Sequence, residues 1–398
     1  MLLSYTGLLS FLTFVTSLGD YLSLFATMHL VHQKTSSVLL AAYLIPAQSL
    51  AVAVSGVLFP WLASRFSYRA LFVATQIASG ALVLFVGLAW EILHPYTIIG
   101  IYFLLSLFKQ TFESARDTAG KPPQSESNHR ATWVTIYLGR YGAQVIGPVV
   151  AFFLIAHLPV PIPFILDSLT FFFCAALSTR LAFNPVQQYS VLNPLFYIWK
   201  KPALWRIVLI RSVGFWIPAG IFNYLVFSVV KQNFDRPPLD TAWVYFAAGV
   251  GSVIAALLLR DAGLAWVPRL QTLRQRIARI RDAHIAAIGL FGLAVSRAFF
   301  FELPSFFPAL VILGLSGFFM TFNAMGAQAI RSKVTTAEQF PEVVGLEVTL
   351  GKTAEFFVAS LAGVLLAAFP GQFDAWLWMS VAGYAALGLI MQSRALDV

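Results

Sequence analysis

Asp20, Glu347 and Glu355 are carboxylates set in stretches of sequence that are otherwise strongly apolar. A charge at the centre of a membrane-crossing helix costs at least about 2.5 kcal/mol, so each needs a role that offsets it. A carboxylate in such a place can take up and release a proton as its surroundings change. That is the chemistry of a proton-driven carrier, and these three residues are its candidates. The structural alternative for Asp20 is a carboxylate satisfied by hydrogen bonds from neighbouring helices. No basic residue lies near it in sequence. Glu347 and Glu355 are eight residues apart, about two turns plus a residue, and so share a helix face approximately.

Arg140 and Lys352 form a second constellation. Two cations facing one cavity would hold a carboxylate, phosphate or catecholate through charge-assisted hydrogen bonds. Alternatively each is neutralised within the fold, Arg140 by Glu113 or Asp117 and Lys352 by Glu355 or Glu347. Lys352 and Glu355 are three apart and can pair along one helix. Asn223 and Asn323 carry amides suited to substrate contact, and Gln48 and Trp216 could shape the same cavity. Glu113 follows Lys109 by four residues and precedes Arg116 and Asp117 by three and four, a charged stripe on one helix face. Near a helix end, such a stripe reads as a gate network. His29 and His32 have no ligand spacing with Asp20, so neither a metal nor another cofactor is expected. No phosphate-binding GxxxxGK[ST] loop occurs, the single cysteine is Cys174, and no catalytic residues emerge.

The elements that position these residues follow from composition. At 398 residues, 59% hydrophobic and 11% charged, the chain is no ordinary soluble domain. Apolar runs long enough to cross the bilayer as helices lie near 5–31, 38–62, 70–90, 96–116, 133–157, 162–181, 207–230, 241–259, 284–301, 306–329, 344–368 and 375–393. The runs are continuous and do not alternate, which favours helices over a barrel. Ser17-Leu18-Gly19 reappears as Ser212-Val213-Gly214, Gly56 falls on Gly251 and Arg65 on Arg260 at one offset. Arg69 then falls on Arg281 and Leu138-Gly139-Arg140 on Leu350-Gly351-Lys352 at a larger one. The expected fold is therefore an all-α polytopic membrane protein, with about twelve transmembrane helices in two pseudo-symmetric six-helix bundles. The bundles would span residues 1–181 and 207–398, joined by a cytoplasmic linker at 182–206.

The net charge of +9 has a location. With a cytoplasmic N-terminus, nearly every Lys and Arg outside the spans falls on inner loops, and only Lys34, Lys231 and Arg236 fall outside. The basicity thus reports topology with both termini cytoplasmic, and nucleic acid is not an expected partner. A cationic amphipathic helix is expected near 264–280, lying on the inner leaflet. Residues 117–132 read as a hydrophilic loop. The first apolar segment runs well past a signal-peptide core, so no cleavable signal is expected.

Gly56-x8-Arg65-Phe66-Ser67-Tyr68-Arg69 resembles the inter-helix signature of the major facilitator superfamily, although Ser64 stands where an acid is usual. Gly142 to Gly147-Pro148 resembles the glycine-proline motif of its exporters. The stretches around Asp20, Glu113-Ser114-Ala115-Arg116 and Phe164-Ile165-Leu166-Asp167-Ser168 are similar to the branch of enterobactin-type siderophore and multidrug exporters. The resemblance implies a gate built from Arg65, Arg69 and their repeat partners Arg260 and Arg281, together with Glu113, Arg116 and Asp117. It also implies a non-enzymatic, proton-coupled exporter of an organic amphiphile or siderophore, a monomer in a bacterial inner membrane. Import or exchange of an organic anion is the alternative, and a non-transporting sensor or assembly subunit is the reading from another class.

Overall fold

The computed structural model describes residues 5–122, 129–181, 208, 215–260, 280–368 and 373–392. Its long helices are α1 (Tyr5–Thr35), α2 (Leu44–Arg65), α3 (Tyr68–Ala89), α4 (Pro95–Ala119), α5 (His129–His157) and α6 (Pro161–Ser178). They continue as α7 (Phe215–Gln232), α8 (Thr241–Leu259), α9 (Asp282–Glu302), α10 (Phe306–Val334), α11 (Phe340–Ala368) and α12 (Phe373–Gln392). Helices are the expected form for such apolar segments, because each satisfies its backbone polar groups within itself. Local chemistry marks the ends. The Ser67 hydroxyl accepts a hydrogen bond from the Ala70 N–H at 3.2 Å and caps α3. Prolines open α4 and α6, where a missing N–H costs nothing.

Eight of the described helices are long and apolar enough to cross a membrane by length and composition. Leu88, Phe307, Val311 and Phe357 stand mostly exposed on the outside, as lipid-facing side chains would. Helices α4 and α11 fall outside those eight. They carry Lys109, Glu113, Arg116 and Asp117, and Glu342, Glu347, Lys352 and Glu355. The expected spans agree with the helices to within several residues. The loop expected at 117–132 is shorter than read, because α4 runs on to Ala119 and α5 begins at His129. The linker at 182–206 and the amphipathic segment near 264–280 lie outside the described residues, apart from Ile280.

The packing order repeats. Helix pairs α1–α5, α2–α4, α3–α4, α3–α6 and α1–α6 recur six helices later as α7–α11, α8–α10, α9–α10, α9–α12 and α7–α12. The contacts between the first six and the last six are chiefly α2–α11 and α5–α8, which the same shift exchanges. Both seams depend on glycine. A Cβ on Gly56 would lie 2.6 Å from the Gly345 carbonyl oxygen, and one on Gly249 would lie 2.7 Å from the Gln144 carbonyl carbon. Backbones this close leave no room for a side chain.

Candidate functional site

One face of α5 carries the site. Arg130, Trp133, Tyr137, Arg140 and Gln144 follow at steps of three and four, so they stack along a single stripe. The stripe faces the last six helices, because Trp133 stacks on Phe340 of α11 and Gln144 meets Gly249 of α8. Walking down it from Arg140 to Arg130 passes through three tiers of charge.

The first tier lies mid-helix. Asp20 is fifteen residues from either end of α1 and forms an ion pair with Lys109 of α4 at 2.9 Å. Arg140 donates through Nη1 to Glu113 Oε2 at 3.2 Å. Across the seam, Lys352 pairs with Glu355 and sits 3.5 Å from the centroid of the Trp216 ring. Asn223 donates to the other Glu355 oxygen at 3.1 Å. Glu113 lies within electrostatic reach of both Arg140 and Lys352, so the two halves share one field. Each of these three acids has a cation, which offsets much of the desolvation a lone buried charge would suffer. The Arg140 side chain nevertheless remains 42% accessible, and among the described residues Glu113 is the one acid on its five-donor fork.

The second tier is buried. Arg116 donates to Asp117 at 3.0 and 2.7 Å, and the Tyr137 hydroxyl donates to the other Asp117 oxygen at 2.8 Å. Arg331 of α10 lies 3.8 Å from Asp117 and donates to Glu347 at 2.9 Å and to Gln328 at 2.5 Å. Its guanidinium also lies 5.0 Å from the Phe340 ring centroid.

The third tier closes the end that carries most of the arginines, here called the basic end. Arg130 of α5 reaches Asp282 of α9 at 2.8 Å through Nε and 2.6 Å through Nη2. Lys333 of α10 holds the other Asp282 oxygen at 2.8 Å. Asp282 also opens α9, where the positive end of the helix dipole favours an anion. His129 meets Ser332 at 2.5 Å, and the Trp133–Phe340 stack fills the space above.

The opposite end is closed by rings instead. Tyr245 of α8 packs edge-on against Tyr21 and Phe25 of α1 at 6.1 and 5.7 Å. Tyr43 meets Tyr224 at 6.3 Å, and Phe152 meets Trp243 at 5.8 Å.

Several sequence-level placements change. Asp20 has a basic partner after all, but Lys109 comes from α4, and sequence distance conceals it. Glu113 belongs with Arg140 in the middle tier and not at the end. Glu347 is separated from Glu355: the intervening turns place it on Arg331, in the second tier. Asn323 faces α9, where its amide donates to the Ala286 carbonyl at 3.1 Å, because a buried amide must satisfy its N–H groups. Arg65 is exposed and lies over Trp61 of its own helix at 4.7 Å, while Arg69 donates to the Leu181 carbonyl at 3.0 and 2.6 Å. Neither joins the charged tiers. Arg260 ends α8 and Arg281 precedes α9, on either side of residues outside the description. Gln48 is half-buried on α2. Arg297, to which the sequence reading assigns no functional role, is 5% exposed, bonded to the Tyr384 hydroxyl at 2.9 Å and set 4.0 Å from the Phe222 ring.

The residues that sequence reasoning left without a role are Arg130, Trp133, Tyr137, Asp282 and Arg331. Four-three spacing along α5 was the available signal for the first three. Asp282 and Arg331 carried none for their acid–base pairing, since Arg130 lies 152 residues from Asp282 and Glu347 lies 16 from Arg331.

No family profile and no curated protein matches the sequence. Solved structures do match. The chain is similar to the crystal structure of the human organic anion transporter MFSD10 (TETRAN), with a TM-score of 0.67 and 14% identity over 98% of this chain and 97% of that one. That likeness establishes the fold: all-α, with about twelve helices in two pseudo-symmetric six-helix bundles.

Proposed function

We propose that this chain is a secondary transporter that moves a small organic anion by alternating access. Two bundles, residues 1–181 and 207–398, would rock about the middle tier, with 182–206 as the linker. The observation that carries the reading is Arg140. A guanidinium at mid-helix with 42% of its side chain accessible, one acid contact and a cation on the facing helix is set to receive an anion. The Trp216 ring beside Lys352 and the rings of Tyr21 and Tyr245 supply apolar walls for the body of an amphiphile. A fold shared with an organic anion transporter supports the same class of substrate.

Coupling to protons runs through Asp20. A proton or an arriving anion would compete for the Asp20–Lys109 pair, and reorganising that pair links binding to helix movement. The charged tiers at the basic end form the inner gate and the aromatic end the outer one. The crowding of basic residues at one end supports a cytoplasmic location for that end, with both termini inside a bacterial inner membrane. The Gly147-Pro148 motif within α5, which resembles that of exporters, supports export as the direction.

The test uses purified protein in proteoliposomes with fluorescein as the anionic probe and ethidium as the cationic one. A proton gradient should drive fluorescein against its concentration gradient. Replacing Arg140 and Lys352 together by Gln should abolish fluorescein transport and leave ethidium movement, if any, unchanged. Equal loss for both dyes, or fluorescein transport that ignores the substitutions, would remove the anion site. Movement with the proton gradient, and not against it, would reverse the assigned direction.

A further inference from the structure

Asp167 takes no part in the tiers above, yet among the described residues of the first half it is the buried acid with the least compensation. It sits on α6 at 0% exposure, and among the described residues no Lys, Arg or His lies within ion-pair distance of it. The Ser23 hydroxyl of α1 bonds to one carboxyl oxygen. Thr170 lies 3.3 Å from the other, but its hydroxyl is committed to the Asp167 backbone carbonyl at 2.8 Å. One hydroxyl is a weak counterweight for a fully desolvated carboxylate.

The groups that face it complete the count. From α1 comes Asp20, from α4 come Lys109 and Tyr102, and Lys109 is already paired with Asp20. Helix α3, packed along α6, has no titratable side chain between Ala70 and Ala89. The few contacts of α5 with α6 bring no cation to it, since Arg140 lies on the α5 stripe that faces the last six helices. Two carboxylates therefore share one lysine, an excess of one negative charge that one proton removes. A small pocket lies next to this site: Ser23, Thr27 and Tyr102 line it among the apolar side chains of Val83, Val86, Ile98 and Phe164.

We propose that Asp167 is a proton-binding site, and that Lys109 passes between Asp20 and Asp167 as that proton leaves and returns. When Asp167 gives its proton to water in the pocket, its new carboxylate attracts the Lys109 ammonium. Asp20, losing its partner, takes a proton from the side of the middle tier. One proton has left on the α6 side and one has entered on the α1 side, and the cluster keeps its charge. Asp20 and Ser23 lie three residues apart on one face of α1, and Gly19 brings the α1 backbone against Asp167. A small movement of α1 is then enough to change which acid the lysine holds. The existence of the site is independent of transport; its use in coupling rests on the reading above.

Infrared spectroscopy of the purified protein in detergent tests it through the carbonyl band of a protonated carboxyl group. At neutral pH the wild-type spectrum minus that of Asp167→Asn should contain one such band. Lys109→Gln strands both acids and should raise the band about two-fold, one proton on each. If Asn proves disruptive, Asp167→Glu should shift the band without removing it. An empty difference spectrum, a band unmoved by Asp167→Glu, or no gain in Lys109→Gln would overturn the site. A band present while fluorescein transport ignores the proton gradient would keep the site and discard the coupling. Coupled transport with no band would do the reverse.

Discussion

Arg130→Gln should unlatch the basic end, and the size of the effect can be worked from its contacts. Arg130 ties the two halves with two donors on one Asp282 oxygen and a third bond from Nη2 to the Ile280 carbonyl at 3.0 Å. Stranding one partner of a buried ion pair typically costs 3–5 kcal/mol, on the order of a whole latch. Here Asp282 would keep Lys333 at 2.8 Å, so it is not left without a cation. The loss is then closer to one charge-assisted hydrogen bond of about 2 kcal/mol. At about 1.4 kcal/mol per decade, the population open at the basic end should rise about 30-fold. Val344, 2% exposed in the cluster around Trp133 and Phe340, is the reporter position. Val344→Cys in a Cys174→Ala background leaves one thiol, whose labelling rate by a membrane-impermeant reagent follows that population. Lys333→Gln is the control, because Lys333 and Asp282 lie in the same half and part together or not at all. It should change labelling little. Equal acceleration by both substitutions, or none by Arg130→Gln, would refute the latch.

Two further outcomes bear on the reading. Asp20→Asn should leave the protein folded but uncouple dye flux from the proton gradient in proteoliposomes, and unchanged coupling would take Asp20 out of the mechanism. Gly56→Leu should lower thermal stability by about 1–3 kcal/mol or more, since its side chain would meet the Gly345 carbonyl, and a melting temperature equal to wild type would show that the α2–α11 seam is looser than described.

The helices were legible because a membrane span is written locally, in some twenty consecutive residues. Internal repetition then paired Arg140 with Lys352, and the structure sets both in the middle tier with the acids named for them, Glu113 and Glu355. Trp216 and Asn223 read as cavity groups from their type, and the structure sets them against Lys352 and Glu355. Partners contributed by distant helices were not. Asp20 finds Lys109 and Arg130 finds Asp282 only through tertiary packing, which no spacing rule encodes. Asn323 shows the converse: its residue type fits a cavity, but its amide meets the Ala286 backbone carbonyl of the neighbouring helix. Arg65 and Arg69 carry a familiar pattern without the acid that would tie them into a lock, and they settle on local partners.

The two closures obey different physics. At one end the Arg130–Asp282 pair is 12% and 7% accessible, too sheltered for dissolved ions to screen it well. At the other, the Tyr245, Tyr21 and Phe25 rings hold through apolar contact, which weakens on cooling. The basic end also holds the Trp133–Phe340 stack, so chilling should loosen the aromatic door more than the ion-paired one. A sample frozen from low temperature would tilt towards the conformer open at its aromatic mouth, whatever the cell favours in warmth.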